Sequence, residues 1–307
     1  MLKYLRAFVL VGAVSQASCA GRLAEWAVDL ERWRSNLEEK RTRVGEFEVA
    51  YLEGGHGPHA LLIHGFGGDK EHWTRFARQL TDRYHVIAVD LPGFGESSRL
   101  EGLSYGPKEQ ADRIELFRMA LGLEKMHVVG NSMGGMVAGV YTDQYQDRVL
   151  SLTLIDSGGI RSPEPSELSR ELAQGRNPLV VETREDMDKL LAFNFYKQPF
   201  IPGLVVTKLY EASVPHREWN RRVFKEIHGK GTVVEEALPR IRVPILVMWG
   251  DKDRVIHVSA TQTVQKIKPE AEIKILKDCG HAPMIERVDE SSQIFMDFVD
   301  RRFPAPQ

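Results

Sequence analysis

The chain has 307 residues, of which 42% are hydrophobic and 27% charged, and its formal net charge is −2 at pH 7. These numbers indicate a globular protein with ample core, built as one large α/β domain with an insertion or as two modest domains. The lack of a basic excess argues against nucleic acid as a partner. Of the two cysteines, Cys19 falls in a segment with the pattern of an export signal. We therefore expect neither a disulfide nor a thiolate metal site in the mature fold.

Residues 1–20 have the pattern of a signal peptide, a lipoprotein signal or a membrane anchor. Lys3 and Arg6 precede the apolar stretch AFVLVGAV, and the small residues SQASCAG follow it. Cys19 fits a lipoprotein processing box, although Gln16 stands where a leucine is usual. The apolar run is shorter than the roughly 18 residues of a clear membrane span, which favours removal or lipidation over an uncleaved anchor or a buried helix. We expect an exported or membrane-associated protein, which in a bacterium would be periplasmic, lipoprotein-anchored or secreted.

The next segment, residues 22–41, predicts an amphipathic helix. Its apolar residues recur at helical spacing between charged ones, at Leu23, Trp26, Leu30, Trp33 and Leu37. A helix with tryptophans on its apolar face can lie on a bilayer, so membrane association through the N-terminus is one interpretation. Docking of the same face onto the body of the protein is an equally good one.

From Gly45 onward, strand-like and helix-like segments alternate. Helices are expected at residues 71–82, 108–121 and 133–145. The expected strands are largely apolar and cover residues 47–55, 60–65, 84–90, 126–130, 149–156, 244–250 and 271–276. Apolar strands separated by helices predict the α/β class, with a mostly parallel sheet flanked by helices on both faces. This core comprises residues 45–157 and 241–303.

Residues 158–240 interrupt the alternation. They contain many prolines and helical fragments without clear strands, which predicts a helical cap over the carboxyl ends of the strands. Its apolar residues are candidates for the wall of a substrate pocket, although they could equally form the core of the cap: Phe193, Phe195, Tyr196, Phe200, Leu204 and Val205.

A single serine stands where a strand turns into a helix. The run VVGNSMGGMVAG places Ser132 between Gly130 and Gly134, which is the G-x-S-x-G arrangement of a nucleophile elbow. Glycines two residues to either side remove the collisions of so tight a turn. The motif occurs by chance in other proteins, but its position between a strand and a helix favours Ser132 as a nucleophile.

A serine nucleophile needs a base and an acid, which should follow it in chain order at the ends of later strands. His281 lies in the loop KDCGHAP after the last expected strand and is the predicted base. Asp253, in GDKDRVIH after the preceding strand, is the favoured acid. Asp156, at the end of the strand that follows the nucleophile's helix, and Asp251, an expected turn residue, remain alternatives.

The negative oxygen formed on attack needs two backbone N–H donors. Met133, directly after the nucleophile, should supply one, and Phe66, in the loop HGFGG, should supply the other. We interpret His64 as a structural residue of that loop. Asp90, in VDLPGFGES, is interpreted as a carboxylate that braces a loop.

These motifs resemble those of the α/β-hydrolase superfamily from about residue 45 to residue 303. The segments HGFGGDKEHW, DLPGFGES, GNSMGG, WGDKDRVI and CGHAPMIE stand in the family's order. Within the family, the chain is most similar to monoacylglycerol lipases of α/β-hydrolase domain type and to related bacterial lipases, as the cap stretches IPGLVV and VPHREWNRRVFKEI also indicate. The resemblance implies a lipid or small ester substrate, an acyl-enzyme, and no metal or organic cofactor. Matched by position, it implies the triad Ser132, Asp253 and His281.

Other functions are also found on this pattern or fold. Hydrolases that cleave carbon–carbon bonds in aromatic ring-fission products also contain GNSMGG, but they usually carry Gly-Pro-Gly in the oxyanion loop and a tryptophan after the catalytic histidine, whereas Ala282 follows His281 here. A binding protein that has lost catalysis would be expected to lack a triad residue, and none is missing. Dehalogenases and epoxide hydrolases of this fold use an aspartate nucleophile, against which Ser132 argues.

Overall fold

The structure is a computed structural model that describes residues 25–228 and 231–304. The expected export signal of residues 1–20 and the first residues of the expected helix at 22–41 lie outside these ranges. None of the helices in the described ranges combines the length and the apolar character that a bilayer crossing requires.

The described part of the chain contains one eight-stranded sheet in the order β1-β2-β4-β3-β5-β6-β7-β8. The strands are β1 (Glu38–Val44), β2 (Phe47–Gly54), β3 (His59–Ile63), β4 (His85–Val89), β5 (Met126–Asn131), β6 (Val149–Ile155), β7 (Ile245–Gly250) and β8 (Glu272–Leu276). β2 is antiparallel to both β1 and β4, and every other pairing is parallel. The seven strands expected from the sequence, β2 to β8, are confirmed, as is the mostly parallel sheet.

Alternate side chains of each central strand enter two cores, one on either face of the sheet. In β3, Leu61 and Ile63 belong to a core that also contains Phe117. Leu62 belongs to the opposite core, together with Phe298. Burial on both faces explains why these strands are apolar throughout rather than alternating with polar residues.

Helices cover both faces and form the insertion. They are α1 (25–34), α2 (Thr74–Arg78), α3 (Pro107–Ala120), α4 (Met133–Gln144), α5 (Glu167–Ala173), α6 (Arg184–Asn194), α7 (Gly203–Ser213), α8 (Arg217–His228), α9 (Val233–Ala237), α10 (Ala260–Ile267), α11 (Pro283–Glu286) and α12 (Val288–Arg302). The expected helices at 108–121 and 133–145 correspond to α3 and α4. The helices α5 to α9 lie between β6 and β7, in the segment expected to form a cap.

The helix expected over residues 22–41 is wrong in its second half. The described helix α1 ends at residue 34, and Asn36 adopts a positive φ of 52°. Glu38–Val44 then forms β1, so the sheet begins before residue 45. β1 is an edge strand whose side chains are mostly exposed, and its sequence EEKRTRV therefore lacks the apolar pattern by which buried strands are recognised. The helix expected at 71–82 is also shorter, consisting of a 3₁₀ turn at Lys70–Trp73 followed by α2.

Candidate active site

Ser132 occupies a sharp bend between β5 and α4. Its backbone has φ 56° and ψ −117°, a conformation that non-glycine residues rarely adopt and that marks local strain. A Cβ on Gly130 would lie 2.2 Å from the Gly134 carbonyl oxygen, and a Cβ on Gly134 would lie 2.1 Å from that of Ile63. Both positions must therefore be glycine, which gives G-x-S-x-G its physical meaning here. The bend is fixed by hydrogen bonds that join Ser132 to the end of β6 and to the turn that follows it, Ser132 N–H to Ile155 O (3.0 Å) and Gly158 N–H to Ser132 O (2.9 Å).

His281 and Asp253 form a buried hydrogen-bonded pair. His281 Nδ1–H donates to Asp253 Oδ2 at 2.8 Å, and only 6% of His281 and 5% of Asp253 is exposed. Asp253 Oδ1 accepts from the N–H groups of Val255 (2.7 Å) and Ile256 (3.0 Å), which fixes the carboxylate. Because a carboxylate is only an acceptor, the proton of the imidazole lies on Nδ1 and the lone pair on Nε2.

Ser132 and His281 line the same cavity, which has a volume of about 640 Å³. In the described structure Ser132 Oγ has no hydrogen-bond partner. Catalytic hydrogen bonds are often long in the absence of substrate and tighten when it binds. The structure thus brings the predicted nucleophile, base and acid to one edge of the sheet, after β5, β8 and β7 respectively.

Asp156, the alternative acid, lies behind this pair and is completely buried. Its Oδ1 accepts from Gly250 N–H at 2.9 Å, and among the described residues its buried Oδ2 has no hydrogen-bond partner. Burial, followed by the negative charge of Asp253, raises the pKa of Asp156 well above its ordinary value. These surroundings favour a neutral carboxyl at Asp156, and it is Asp253 that contacts the histidine. Asp251 accepts from Cys279 N–H at 3.3 Å and serves the turn.

One carboxylate oxygen each from Asp156 and Asp253 and one imidazole nitrogen of His281 lie within 4.8 Å of one another, a spacing that is also found among the ligands of a metal ion. The hydrogen bond between His281 and Asp253 and the raised pKa of Asp156 account for this cluster as an acid–base set. In this set the negative charge of Asp253 stabilises the protonated form of the His281 imidazole.

The two expected oxyanion donors lie beside the nucleophile. Among the described residues, neither Phe66 N–H nor Met133 N–H donates to an acceptor. Met133 is the first residue of α4, whose N-terminus carries a partial positive charge. A Cβ on Gly65 would lie 3.2 Å from the Ser132 Cβ, so the loop after β3 approaches the serine closely. Both N–H groups are therefore available to a negative oxygen formed at Ser132.

The loop that carries Phe66 is held in place by hydrogen bonds of buried polar residues. His64 Nδ1–H donates to Gly65 O at 2.7 Å, and His64 Nε2 accepts from Leu91 N–H at 3.1 Å. Burial lowers the pKa of His64 to about 4, so the ring is neutral and structural. Asp90 accepts from the Lys70 N–H (2.6 Å) and Nζ (3.1 Å), which agrees with its interpretation as a loop-bracing carboxylate.

Two residues without a predicted role connect the histidine loop to its surroundings. Asn131 Nδ2 donates to His281 O at 3.1 Å and so attaches this loop to the nucleophile elbow. Glu286 accepts from Gly280 N–H (2.9 Å) and from the cap residues Tyr196 (3.1 Å) and Lys197 (2.6 Å). Both belong to motifs quoted from the sequence, GNSMGG and CGHAPMIE, but a sequence does not reveal which backbone amides a side chain reaches.

The expected wall of the substrate pocket requires a correction. Of the six proposed residues, only Phe195 belongs to the described wall of the cavity. Phe193 packs with Leu168 and Val255, whereas Tyr196, Phe200 and Leu204 are 47%, 86% and 50% exposed and Val205 is partly buried outside the wall. The apolar wall consists of other residues, among them Leu179, Val180, Val181, Met187, Leu190, Leu191, Leu209, Met284 and Ile285.

Comparison with known proteins places this site in context. The family model described as alpha/beta hydrolase fold matches residues 58–198. Lipase 1 of Psychrobacter immobilis is 36% identical over 277 residues, which are 88% of this chain and 87% of the relative. Monoacylglycerol lipase ABHD6 of Mus musculus is 31% identical over 258 residues, covering 80% of this chain and 76% of the relative. The crystal structure of a membrane phospholipase A, described as a novel bacterial virulence factor, has a TM-score of 0.92 and 41% identity and covers 99% of this chain and 100% of its own.

The chain belongs to the α/β-hydrolase family. The fold class and the resemblance inferred from the motifs are thereby confirmed. Within this family it is a carboxylic ester hydrolase.

Proposed function

We propose that the protein hydrolyses glycerolipid esters, acylglycerols in particular, through an acyl-enzyme on Ser132. The observation that carries the proposal is the 2.8 Å hydrogen bond between His281 and Asp253 at the cavity that Ser132 also lines. A buried imidazole held in this tautomer presents a basic Nε2 toward the cavity.

In the first half-reaction Ser132 Oγ attacks the ester carbonyl carbon while His281 Nε2 takes the hydroxyl proton. Asp253 stabilises the imidazolium, and the N–H groups of Phe66 and Met133 donate to the negative oxygen of the tetrahedral intermediate. The intermediate collapses when the C–O bond to the alcohol breaks, and the alcohol leaves with the proton from His281. The acyl group stays on Ser132.

The second half-reaction uses water as the nucleophile. His281 Nε2 removes a proton from water, the resulting hydroxide attacks the acyl carbon, and the same N–H donors stabilise the new tetrahedral intermediate. The bond to Ser132 Oγ breaks, His281 returns its proton to that oxygen, and a free carboxylic acid leaves.

The cavity supports a lipid as substrate. Its volume of about 640 Å³ and its wall of leucine, valine, methionine and isoleucine side chains suit an acyl chain. The names of the relatives, a lipase, a monoacylglycerol lipase and a membrane phospholipase A, agree with a glycerolipid ester.

Membrane or lipid-surface association is the second part of the proposal. Trp26 and Trp33 on α1 are 63% and 77% exposed, and Phe200 and Leu204 of the cap are also exposed. The ion pair between Lys208 and Glu25, 2.8 Å long, joins α7 to α1, so these apolar side chains belong to neighbouring elements. Together with the export pattern of residues 1–20, they support a protein held at a membrane. Deletion of residues 1–20 should move activity into the soluble cell fraction, and an unchanged distribution would contradict this part.

The nucleophile assignment is tested by Ser132→Ala. Loss of the attacking hydroxyl should lower the turnover of p-nitrophenyl butyrate and of a monoacylglycerol by roughly 10⁴-fold or more, with an unchanged melting temperature. Ser104→Ala, at an exposed surface position, is the matched control and should retain full activity. Undiminished turnover by Ser132→Ala would falsify the mechanism.

A further inference from the structure

Two arginines line the catalytic cavity without a carboxylate partner. Arg99, in the loop after β4, and Arg217, the first residue of α8, are both partly buried and both belong to the cavity wall. In the described part of the chain, neither forms an ion pair, whereas the other cationic side chains of the wall all do, namely Arg32 with Glu71, Lys70 with Asp90, and Lys208 with Glu25.

The donor groups of these arginines are only partly used. Arg99 donates from Nη2 to Gly95 O at 3.0 Å, and its buried Nε has no acceptor. Arg217 donates from Nη2 to the Tyr210 hydroxyl at 3.2 Å, and its buried Nε likewise has no acceptor. Burial lowers the pKa of the Arg99 guanidinium and outweighs the opposing effect of the Asp90 carboxylate, which forms its ion pair with Lys70 rather than with Arg99.

The acidic side chains of the wall do not supply the missing charge. Each is already held by another cation or by a backbone amide: Glu25 by Lys208, Asp29, Glu39 and Glu71 by Arg32, Glu96 by Lys70, and Asp69 by the Glu71 N–H. A partly buried, unpaired guanidinium is costly unless an anion binds to it. The charge balance of the cavity is therefore incomplete at this position.

His216 and Asn220 also line the cavity, and they stand one residue before and three residues after Arg217 in the chain. Burial, followed by the positive charge of Arg99, lowers the pKa of His216. The His216 ring therefore lies within electrostatic range of Arg99. Neutral imidazole and amide groups supply hydrogen bonds without adding a competing negative charge.

We propose that Arg99 and Arg217 form a subsite for the phosphate group of a glycerophospholipid substrate. The inference rests on the proposed ester hydrolysis and specifies the substrate class of the same cavity. A guanidinium presents several N–H donors in a plane, a geometry that matches the oxygens of a phosphate. With the phosphate at this subsite, the apolar wall around Leu179 to Val181 and Met187 receives the acyl chain, so one cavity accommodates both ends of the lipid.

The test compares two substrates that differ only in the phosphate group, decanoylglycerol and decanoylglycerol phosphate. Arg99→Gln and Arg217→Gln should each lower kcat/KM for the phosphate ester by about tenfold or more, because each removes charge-assisted hydrogen bonds. Turnover of decanoylglycerol should change by less than about threefold, since that substrate leaves the subsite empty. Arg148→Gln, an exposed arginine before β6 at the opposite end of the sheet, is the matched control and should affect neither substrate.

The outcomes separate this inference from the proposed function. If the wild-type protein hydrolyses neither ester, the proposed function fails. If it hydrolyses both and the two glutamine variants lose activity equally on both, or on neither, the phosphate subsite is wrong. A second measurement, inhibition by added decanoate, tests whether the arginines bind the carboxylate product instead of a phosphate. If the glutamine variants are less inhibited by decanoate but keep the wild-type preference between the two esters, the arginines bind the product and the proposal is overturned.

Discussion

The carboxyl edge of the sheet and the cap contribute to the same cavity in different ways. At the sheet edge His281 and Asp253 are almost completely buried, and their positions are fixed by hydrogen bonds to the backbone or to each other. In the cap, Phe200 is 86% and Leu204 is 50% exposed. The proposed chemistry thus depends on groups that the core holds in place, whereas these two cap side chains lie outside the cavity wall and are left free by the core.

The sharpest test of the rigid region is Asp253→Asn. The amide cannot hold the imidazole in the required tautomer or stabilise its positive form, so kcat should fall on the order of 10³- to 10⁴-fold. The matched variant is Asp156→Asn, in which a neutral amide of nearly the same shape replaces a carboxyl whose pKa is raised by burial and by the charge of Asp253. Its activity should stay within about tenfold of the wild type. Equal losses in the two variants would show that the two aspartates share the role of the acid.

The contact between the sheet edge and the cap can be disturbed at Glu286. Its carboxylate accepts hydrogen bonds from Gly280 N–H in the histidine loop and from the Tyr196 and Lys197 N–H groups of the cap. In Glu286→Gln one acceptor oxygen becomes a donor that faces an N–H group. The histidine loop should shift, and kcat should fall by roughly tenfold to a hundredfold with little change in KM, because small displacements of a catalytic group are costly.

Glu290→Gln is the control for this change. Glu290 pairs with Arg287 at the surface of the neighbouring helix, so its loss should leave kcat within about twofold of the wild type. Equal kcat values for Glu286→Gln and Glu290→Gln would mean that the hydrogen bonds of Glu286 do not position His281.

The smallest effects are expected in the cap surface, from Phe200→Ser and Leu204→Ser. Neither side chain lines the cavity, so kcat/KM for dissolved p-nitrophenyl butyrate should stay within about twofold. Activity on an emulsified ester should fall by about threefold to tenfold, since each variant loses apolar area that a lipid surface would bury. Met119→Ser, on α3 and 59% exposed, is the control and should change neither activity. Equal loss on both substrates would assign Phe200 and Leu204 to the cap's own stability.

The sequence predicted the buried part of the molecule well because burial leaves a pattern. The strands β2 to β7 are recognisable as largely apolar runs that the structure buries, and the glycines around Ser132 are required by collisions within a few ångströms. Their order along a parallel sheet then places Asp253 and His281 at the edge that carries Ser132.

The same reasoning failed where side chains are exposed or where contacts depend on tertiary structure. β1 was missed because an edge strand needs no apolar face, and its charged residues continued the apparent helix of α1. The sequence offers the cap residues Phe200 and Leu204 as candidates for a pocket wall or for the core of the cap, because apolar side chains are usually buried, and here they are exposed. Arg99 and Arg217 carry no local signal, since only the folded chain shows that, among its described residues, they donate to neutral acceptors and form no ion pair.

The pairing of β6 with β7 has a consequence for the diversity of such proteins. The two strands lie side by side, with Leu152 opposite Ile245, although the entire cap separates them in the chain. The entropic cost of closing a long inserted segment grows slowly, by about 0.6 kcal/mol for each doubling of the segment's length. Caps of very different size can therefore be exchanged at this junction without moving the bond-breaking groups, and new specificities can evolve by replacing one continuous stretch of chain.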